Sequence, residues 1–145
     1  MLKVVAALIH LDGKLLICQR RADDASHPLK WEFPGGKVKP DESHSQALIR
    51  ELQEELGIQA LEMEFICSYP FQYQGKNPLE LHFYFVHDYL GLIKNRQFAK
   101  LLWIDSAQIK TFDFLAGDEV IVEKIFSGEI IIPDACTGCI VKLMN

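Results

Sequence analysis

Apolar residues fall in short runs separated by polar punctuation. Val4 to His10 and Lys14 to Gln19 are aliphatic runs joined through Asp12-Gly13. An Asp-Gly pair accepts the positive backbone angles of a two-residue hairpin turn, so two antiparallel strands are predicted here. Residues 20 to 30 are polar and irregular. Trp31 to Phe33 is a short strand candidate, and Pro34-Gly35-Gly36 after it predicts a turn. Leu61 to Tyr69 and Leu79 to Tyr89 are strand-like and flank a polar loop, Gln72 to Pro78. Leu101 to Ile104 adds a short strand, and Ile130 to Ile132 another. Ser106 to Lys110 and Glu119 to Phe126 carry helical spacing. Strands and helices mix without strict alternation, which predicts an α+β fold: a mixed sheet flanked by helices.

The most informative segment is a helix predicted over residues 44 to 56. Ser43 with Gln46 three residues later forms a capping box, and Asp41 and Glu42 add negative charge near the positive helix end. Gly57 supplies the stop. Leu48, Leu52 and Leu56, with Ile49 beside them, make the buried stripe. Glu51, Glu54 and Glu55 stand at i, i+3 and i+4, so three carboxylates share an adjacent face, with Ala47 leaving room above them. Their mutual repulsion costs the helix a few tenths of a kcal/mol per pair, roughly. A solvated acidic face would tolerate that cost; a divalent cation would turn it into a site. All-oxygen ligands without His or Cys favour Mg²⁺, with Mn²⁺ as the alternative, over zinc. Arg50, four residues before Glu54, is placed to orient that carboxylate by an ion pair.

Composition narrows the partners. The chain has 145 residues, 49% of them hydrophobic and 24% charged, which suits one globular domain. Its formal charge of −5 argues against a polymeric nucleic acid as partner, while a small phosphorylated ligand with bridging cations remains compatible. The apolar run at the start is too short to span a bilayer and lacks a cleavage pattern, so no membrane partner and a cytoplasmic location are expected. Four cysteines are too few for a disulfide framework in a chain this long. Cys18 and Cys67 lie in strand-like runs as small hydrophobes. Cys136-Thr-Gly-Cys139 has metal or redox spacing but lacks the second ligand pair that tetrahedral zinc needs, so a turn is the simpler expectation.

A longer pattern surrounds the acidic helix: Gly36, five residues, Glu42, seven residues, then Arg50-Glu51-Leu52-Gln53-Glu54-Glu55-Leu56-Gly57-Ile58. This resembles the Nudix box at every defined position. Chance agreement of its seven strictly specified residues is on the order of 10⁻⁸ per starting point. Gln19-Arg20-Arg21-Ala22, Trp31 to Lys37 and Phe114 to Ile125 extend the resemblance to the MutT branch, including the related CTP pyrophosphohydrolases. It covers about residues 3 to 126 and leaves a tail, 127 to 145, of a single domain spanning 1 to 145.

The resemblance implies an α/β/α sandwich with a mixed sheet between helices. It implies a Mg²⁺-dependent pyrophosphohydrolase that cuts a nucleoside triphosphate to the monophosphate and pyrophosphate. Glu51, Glu54 and Glu55 would hold the metal with the carbonyl of Gly35, and Lys37 would meet a phosphate or solvent. MutT-like enzymes carry a glutamate six residues before a late tryptophan. Counting back from Trp103 gives Gln97, an amide that takes no proton at neutral pH, and no acidic residue lies between Asp88 and Asp105. Arg21 and Phe33 match base-pocket positions. Asp118 matches the residue that reads the base edge; its alternative role is a cap for the following helix. Two substrates follow, an oxidised nucleotide such as 8-oxo-dGTP, or CTP or a modified dCTP. Gln97 also leaves a third reading open, a weakly catalytic nucleotide-binding or regulatory domain. Oligomeric state is not legible.

Overall fold

The computed structural model describes residues 1–134. The first strand, β1 (Leu2–Leu11), and β2 (Lys14–Gln19) are joined at Asp12-Gly13, whose φ values of 53° and 77° are the positive pair the hairpin requires. They follow as β3 (Trp31–Glu32), β4 (Gly35–Lys37), α1 (His44–Leu56), β5 (Gln59–Phe71), β6 (Leu79–Leu90), β7 (Lys100–Ile104) and α2 (Glu119–Phe126). The predicted helix at Ser106 is a 3₁₀ turn, Ser106–Thr111. Ile130 to Ile132 form no strand: that stretch is irregular, and Ile130 and Ile132 pack onto the core instead.

The strand order is β3-β2-β1-β6-β5, with β4 added to β1 and β7 to β2. Among the strand pairs of the described residues only β1 and β6 run parallel, from Leu2↔Leu79 to Ile9↔Val86. Beyond the hairpin register His10↔Leu15, β2 leaves β1 and pairs with β3 and β7, while β1 takes β4 over Val4–Ala6. The two halves of the sheet thus diverge, and a wedge opens between β2-β3 and β1-β4.

That divergence explains a difference from the sequence-based expectation. Pro34-Gly35-Gly36 does not turn; Gly35 and Gly36 are extended and pair with β1. The glycines are needed for close approach. A Cβ on Gly35 would fall 2.0 Å from the carbonyl oxygen of Val5, and one on Gly36 2.5 Å from the carboxyl carbon of Glu51.

Side-chain alternation along the strands feeds two cores. Val5, Ala7, Ile9, Leu16 and Cys18 pack with Leu48, Leu52 and Leu56 of α1 on one face. Ala6, Leu8, Leu15, Ile17, Phe83 and Phe85 pack with Ile121, Val122 and Ile125 of α2 on the other. Helices therefore sandwich the sheet, as expected. Each α1 leucine is fully buried, worth roughly 1.5–3 kcal/mol apiece. Ala47 is also in this core rather than open above the carboxylates. Cys18 is buried, but Cys67 is only partly so.

Candidate active site

Helix α1 begins and ends where its sequence dictates. The Ser43 hydroxyl accepts from Gln46 N, and the Gln46 side chain accepts from Ser43 N at 2.8 Å. At the far end Gly57, with φ 69°, donates to Gln53 O. The amides of Lys94 and Arg96 donate to the carbonyls of Leu56 and Glu55, so a neighbouring loop covers the helix end. In that loop the Asn95 side chain accepts from Gln97 N and Phe98 N, at 3.2 and 2.8 Å. Gln97 is thereby fixed in the loop that covers the helix end.

The three box carboxylates occupy three depths. Glu54 is exposed, with 56% of its side-chain surface open. Glu51 is partly covered against Gly36. Glu55 is buried, within 3.4 Å of the Gly35 amide that donates to it. Burial, followed by hydrogen bonding and charge from Glu51, pushes the Glu55 carboxyl far above the usual range. Crowded carboxylates of this kind suit a hard divalent cation, which would replace shared protons as the compensating charge. Glu51, Glu54, Glu55 and the Gly35 carbonyl are the oxygen donors available to hold one, although among the described residues no three such side chains are gathered in ligating geometry.

Arg50 braces this face, though not chiefly through Glu54 as the spacing suggested. Its Nε and Nη2 donate to the two oxygens of Glu42 at 2.6 and 2.8 Å, and Nη1 donates to Glu51 at 2.7 Å. Nη2 also reaches the Lys37 carbonyl at 3.0 Å, while Glu54 stands 3.5 Å away. The Arg50 bonds hold the Glu42 carboxyl down at about 2. The helix spacing placed Arg50 one turn from Glu54, but Glu42, outside the helix, offers a bidentate fork.

The wedge holds two adjoining cavities that share Arg20, Glu32 and Gly35. The first, about 270 Å³, is polar; Asp24, Arg21 and Gln97 also line it. The second, about 250 Å³, is walled by Phe33, Leu81 and Leu115, with Tyr73, Lys37 and Asp118 as its polar groups. Phe33 and Asp118 line this same pocket. Lys37 borders it while remaining solvent-exposed. Arg21 does not reach this pocket. Its side chain is 64% exposed and pairs with Asp23 at 3.0 Å. Side chains alternate past the end of β2, so Arg20 turns inward and its neighbour outward.

Arg20 and Glu32 are site residues that the sequence reading missed. Arg20 Nη1 donates to Asp24 at 3.1 Å and Nη2 to Glu32 at 3.3 Å. Its Nε lies 3.1 Å from Glu32 Oε2, at an angle that makes no hydrogen bond. Burial raises the Glu32 carboxyl, partly offset by Arg20. The available signal was a lone carboxylate between Trp31 and Phe33 in an apolar strand.

Asp118 sits at the position preceding α2 but its side chain makes no capping bond. It is 6% exposed, and its carboxyl accepts from the Phe33 backbone. Burial, with Glu32 adding repulsion, pushes it up to about 8. Preceding it, Gly117 donates its N–H to the Tyr73 hydroxyl at 3.0 Å, and its carbonyl accepts from Tyr69 at 2.6 Å. Among the aromatic residues nearby, Tyr73 lines the pocket, Phe71 is half-buried, and Phe83 and Phe85 are core.

Cys136 and Cys139 lie outside the described residues. Among the described residues no helix is long and apolar enough to cross a membrane.

Comparison with known proteins agrees with this architecture. The NUDIX domain family matches residues 1–125. A CTP pyrophosphohydrolase of Escherichia coli K12 is 40% identical over 123 residues, covering 85% of this chain and 90% of the relative. An 8-oxo-dGTP diphosphatase of Haemophilus influenzae is 28% identical, covering 87% and 92%. The solution structure of the E. coli ORF135 protein superposes with a TM-score of 0.77 at 37% identity, over 89% of this chain and 91% of that one.

Proposed function

The chain belongs to the Nudix family, as a hydrolase of nucleotide pyrophosphate bonds, and on that premise we propose that it hydrolyses a cytidine-type nucleoside triphosphate to the monophosphate and pyrophosphate. It does so as one cytoplasmic Nudix domain, with Mg²⁺ as the metal. The observation that carries the substrate is Asp118: a buried carboxyl at the pocket wall, free of helix capping and pushed up to about 8.

At neutral pH such a group is mostly the neutral acid, with one donor and one acceptor side by side. That pattern complements cytosine. The acid carbonyl accepts from the exocyclic amino group, and the acid O–H donates to the ring nitrogen beside it. Phe33 and Leu81 supply apolar walls for the ring. An ionised Asp118 would only accept, which suits the two adjacent N–H donors of a guanine or 8-oxoguanine edge. The relative named as a CTP enzyme and the one named for 8-oxo-dGTP correspond to these two patterns.

On the acidic face of α1, which meets the cavities at Gly35, Glu51, Glu54, Glu55 and the Gly35 carbonyl would hold Mg²⁺. The bound metal supplies charge neutralisation on the phosphate oxygens and a lowered pKa for water. Arg50 keeps Glu51 oriented through its 2.7 Å bond. Glu54, open to solvent, accepts the proton of the attacking water, since Gln97 is an amide and takes none. Arg20, Arg21 and Lys37 contribute positive charge along the path between the cavities.

The test is pyrophosphate release from CTP, dCTP, GTP and 8-oxo-dGTP with Mg²⁺, at pH 6.5 and pH 9. CTP is expected to lead at pH 6.5, and its advantage over the guanine nucleotides to shrink at pH 9. A guanine-type substrate leading at both pH values would reverse the assignment.

A further inference from the structure

Asp118 alone reads only part of a base. A neutral carboxyl, one acceptor beside one donor, matches any edge that sets an amino group next to an unprotonated ring nitrogen. Cytosine and adenine both present that pair. They differ at the next position along the edge, where cytosine carries a carbonyl oxygen and adenine a C–H. Resting on the cytidine-type reading above, we propose that the Tyr73 hydroxyl donates to this ring carbonyl and is the specificity-determining group that separates cytosine from adenine.

Tyr73 lies between β5 and β6 and lines the second cavity together with Asp118, Phe33 and Leu81. Its hydroxyl oxygen accepts from Gly117 N at 3.0 Å. That bond occupies a lone pair and leaves the O–H proton to be donated. Among the described residues the hydroxyl makes no other hydrogen bond. Gly117 immediately precedes Asp118, so the same bond ties the phenol to the segment that carries the carboxyl. Of the other side-chain donors at this cavity, Arg20 is engaged by Asp24 and Glu32, and Lys37 is solvent-exposed. Tyr73 is thus the uncommitted neutral donor, suited to a neutral carbonyl. Burial raises its phenol above the usual range, with the Gly117 bond opposing, so it keeps its proton through neutral pH.

The fold holds this hydroxyl in place before any ligand arrives. Tyr69 O–H donates to the Gly117 carbonyl at 2.6 Å, so two tyrosines grip the N–H and the C=O of one residue. Tyr69 is itself stacked on the core ring of Phe83, centroids 5.6 Å apart. A Cβ on Gly117 would lie 2.6 Å from the Tyr73 hydroxyl oxygen and 3.3 Å from Leu81 Cδ1, so glycine is what admits the phenol. Phe71 stands edge-on to the Tyr73 ring at 4.7 Å and His27 lies tilted against it at 4.9 Å. A donor fixed in this way loses little freedom on binding.

The test is kcat/KM for CTP, ATP and 2-thio-CTP with Mg²⁺, on wild type, Tyr73→Phe and Tyr69→Phe. The thio analogue keeps the amino group and ring nitrogen but replaces the carbonyl oxygen by sulfur, a weak acceptor. Wild type is expected to prefer CTP to 2-thio-CTP about fivefold. Tyr73→Phe is expected to lower kcat/KM for CTP about tenfold, mainly through KM. ATP should change little in that variant, so the CTP-to-ATP ratio contracts, and CTP and 2-thio-CTP should converge. Tyr69→Phe removes the other half of the grip from outside the cavity and should leave both ratios in place. Wild type that does not distinguish 2-thio-CTP from CTP overturns the proposal without any variant. Equal falls for all three nucleotides in Tyr73→Phe, or the same contraction of the ratios in Tyr69→Phe, would make Tyr73 a brace only and also overturn it. Wild-type preference for guanine nucleotides overturns the cytidine reading and this proposal together, whereas a CTP preference that Tyr73→Phe leaves intact overturns this proposal alone.

Discussion

Glu55 and Asp118 are the two buried carboxylic acids among the described residues, 2% and 6% exposed, and their settings differ. Glu55 is hidden among other carboxylates: Glu51 and Glu32 both raise its pKa after burial does. Asp118 is buried at the wall of a mixed pocket, where burial raises its pKa first, Glu32 adds to the rise, and the Phe33 backbone and Arg20 oppose it. Excess negative charge at the first site calls for a cation. Burial with little compensating charge at the second leaves a neutral acid, able to pair with a base edge. Burial of the same functional group thus serves opposite ends of one substrate, according to what surrounds it.

The comparison breaks first at the metal end. Glu54→Gln should lower kcat by about 10²-fold or more, while circular dichroism and Tm stay close to wild type because that side chain is exposed. Turnover near wild type, or activity undiminished in excess EDTA, would remove the metal face from the mechanism. At the base end, Asp118→Ala should reduce kcat/KM for the preferred nucleotide by roughly 1–3 kcal/mol, about 5- to 150-fold, and less for the others. Asp118→Asn keeps one donor and one acceptor and should retain most of the preference. An equal fall for every base would return Asp118 to a structural role.

A smaller effect separates the loop from the helix. Gln97→Glu places a carboxylate in the polar cavity beside Gly35, and should raise kcat about tenfold and flatten its pH dependence. Unchanged kcat would mean that position 97 does not reach the reacting groups. The smallest effect is on stability. The folded-state pKa of Asp118, about 8, lies above its ordinary value of 3.8. Its neutral form therefore favours folding fully below pH 3.8, and that contribution is lost as pH rises through 8. Asp118→Asn escapes this loss, so its Tm should gain on wild type between pH 5 and 8 and level off above. A constant difference in Tm across that window would contradict the raised pKa.

The acidic helix was legible because its determinants are local. Ser43, Gln46 and Gly57 set its ends, and Leu48, Leu52 and Leu56 its inner face, within one turn of each other. Glu51, Glu54 and Glu55 follow from the same 3.6-residue repeat. The motif around them carried the family as well, and the hairpin at Asp12-Gly13 obeyed its turn chemistry. Ile130 to Ile132 misled for the converse reason: three isoleucines look alike whether they enter a sheet or merely press on one.

Local sequence determined most of the strands, the two α-helices, and which residues could carry charge to a metal. Tertiary structure decided what each charged group meets. Arg20 rather than Arg21 reaches the apolar pocket because alternation past the end of β2 points one neighbour inward. Arg50 grips Glu42 before Glu54 because a loop folds back over the helix. Asp118 lacks its capping bond and becomes a pocket acid because the fold buries it in the pocket with Glu32 nearby. Helix ends and periodicities depend on neighbours a few residues apart, whereas burial, pairing and protonation depend on groups that only the folded sheet brings together.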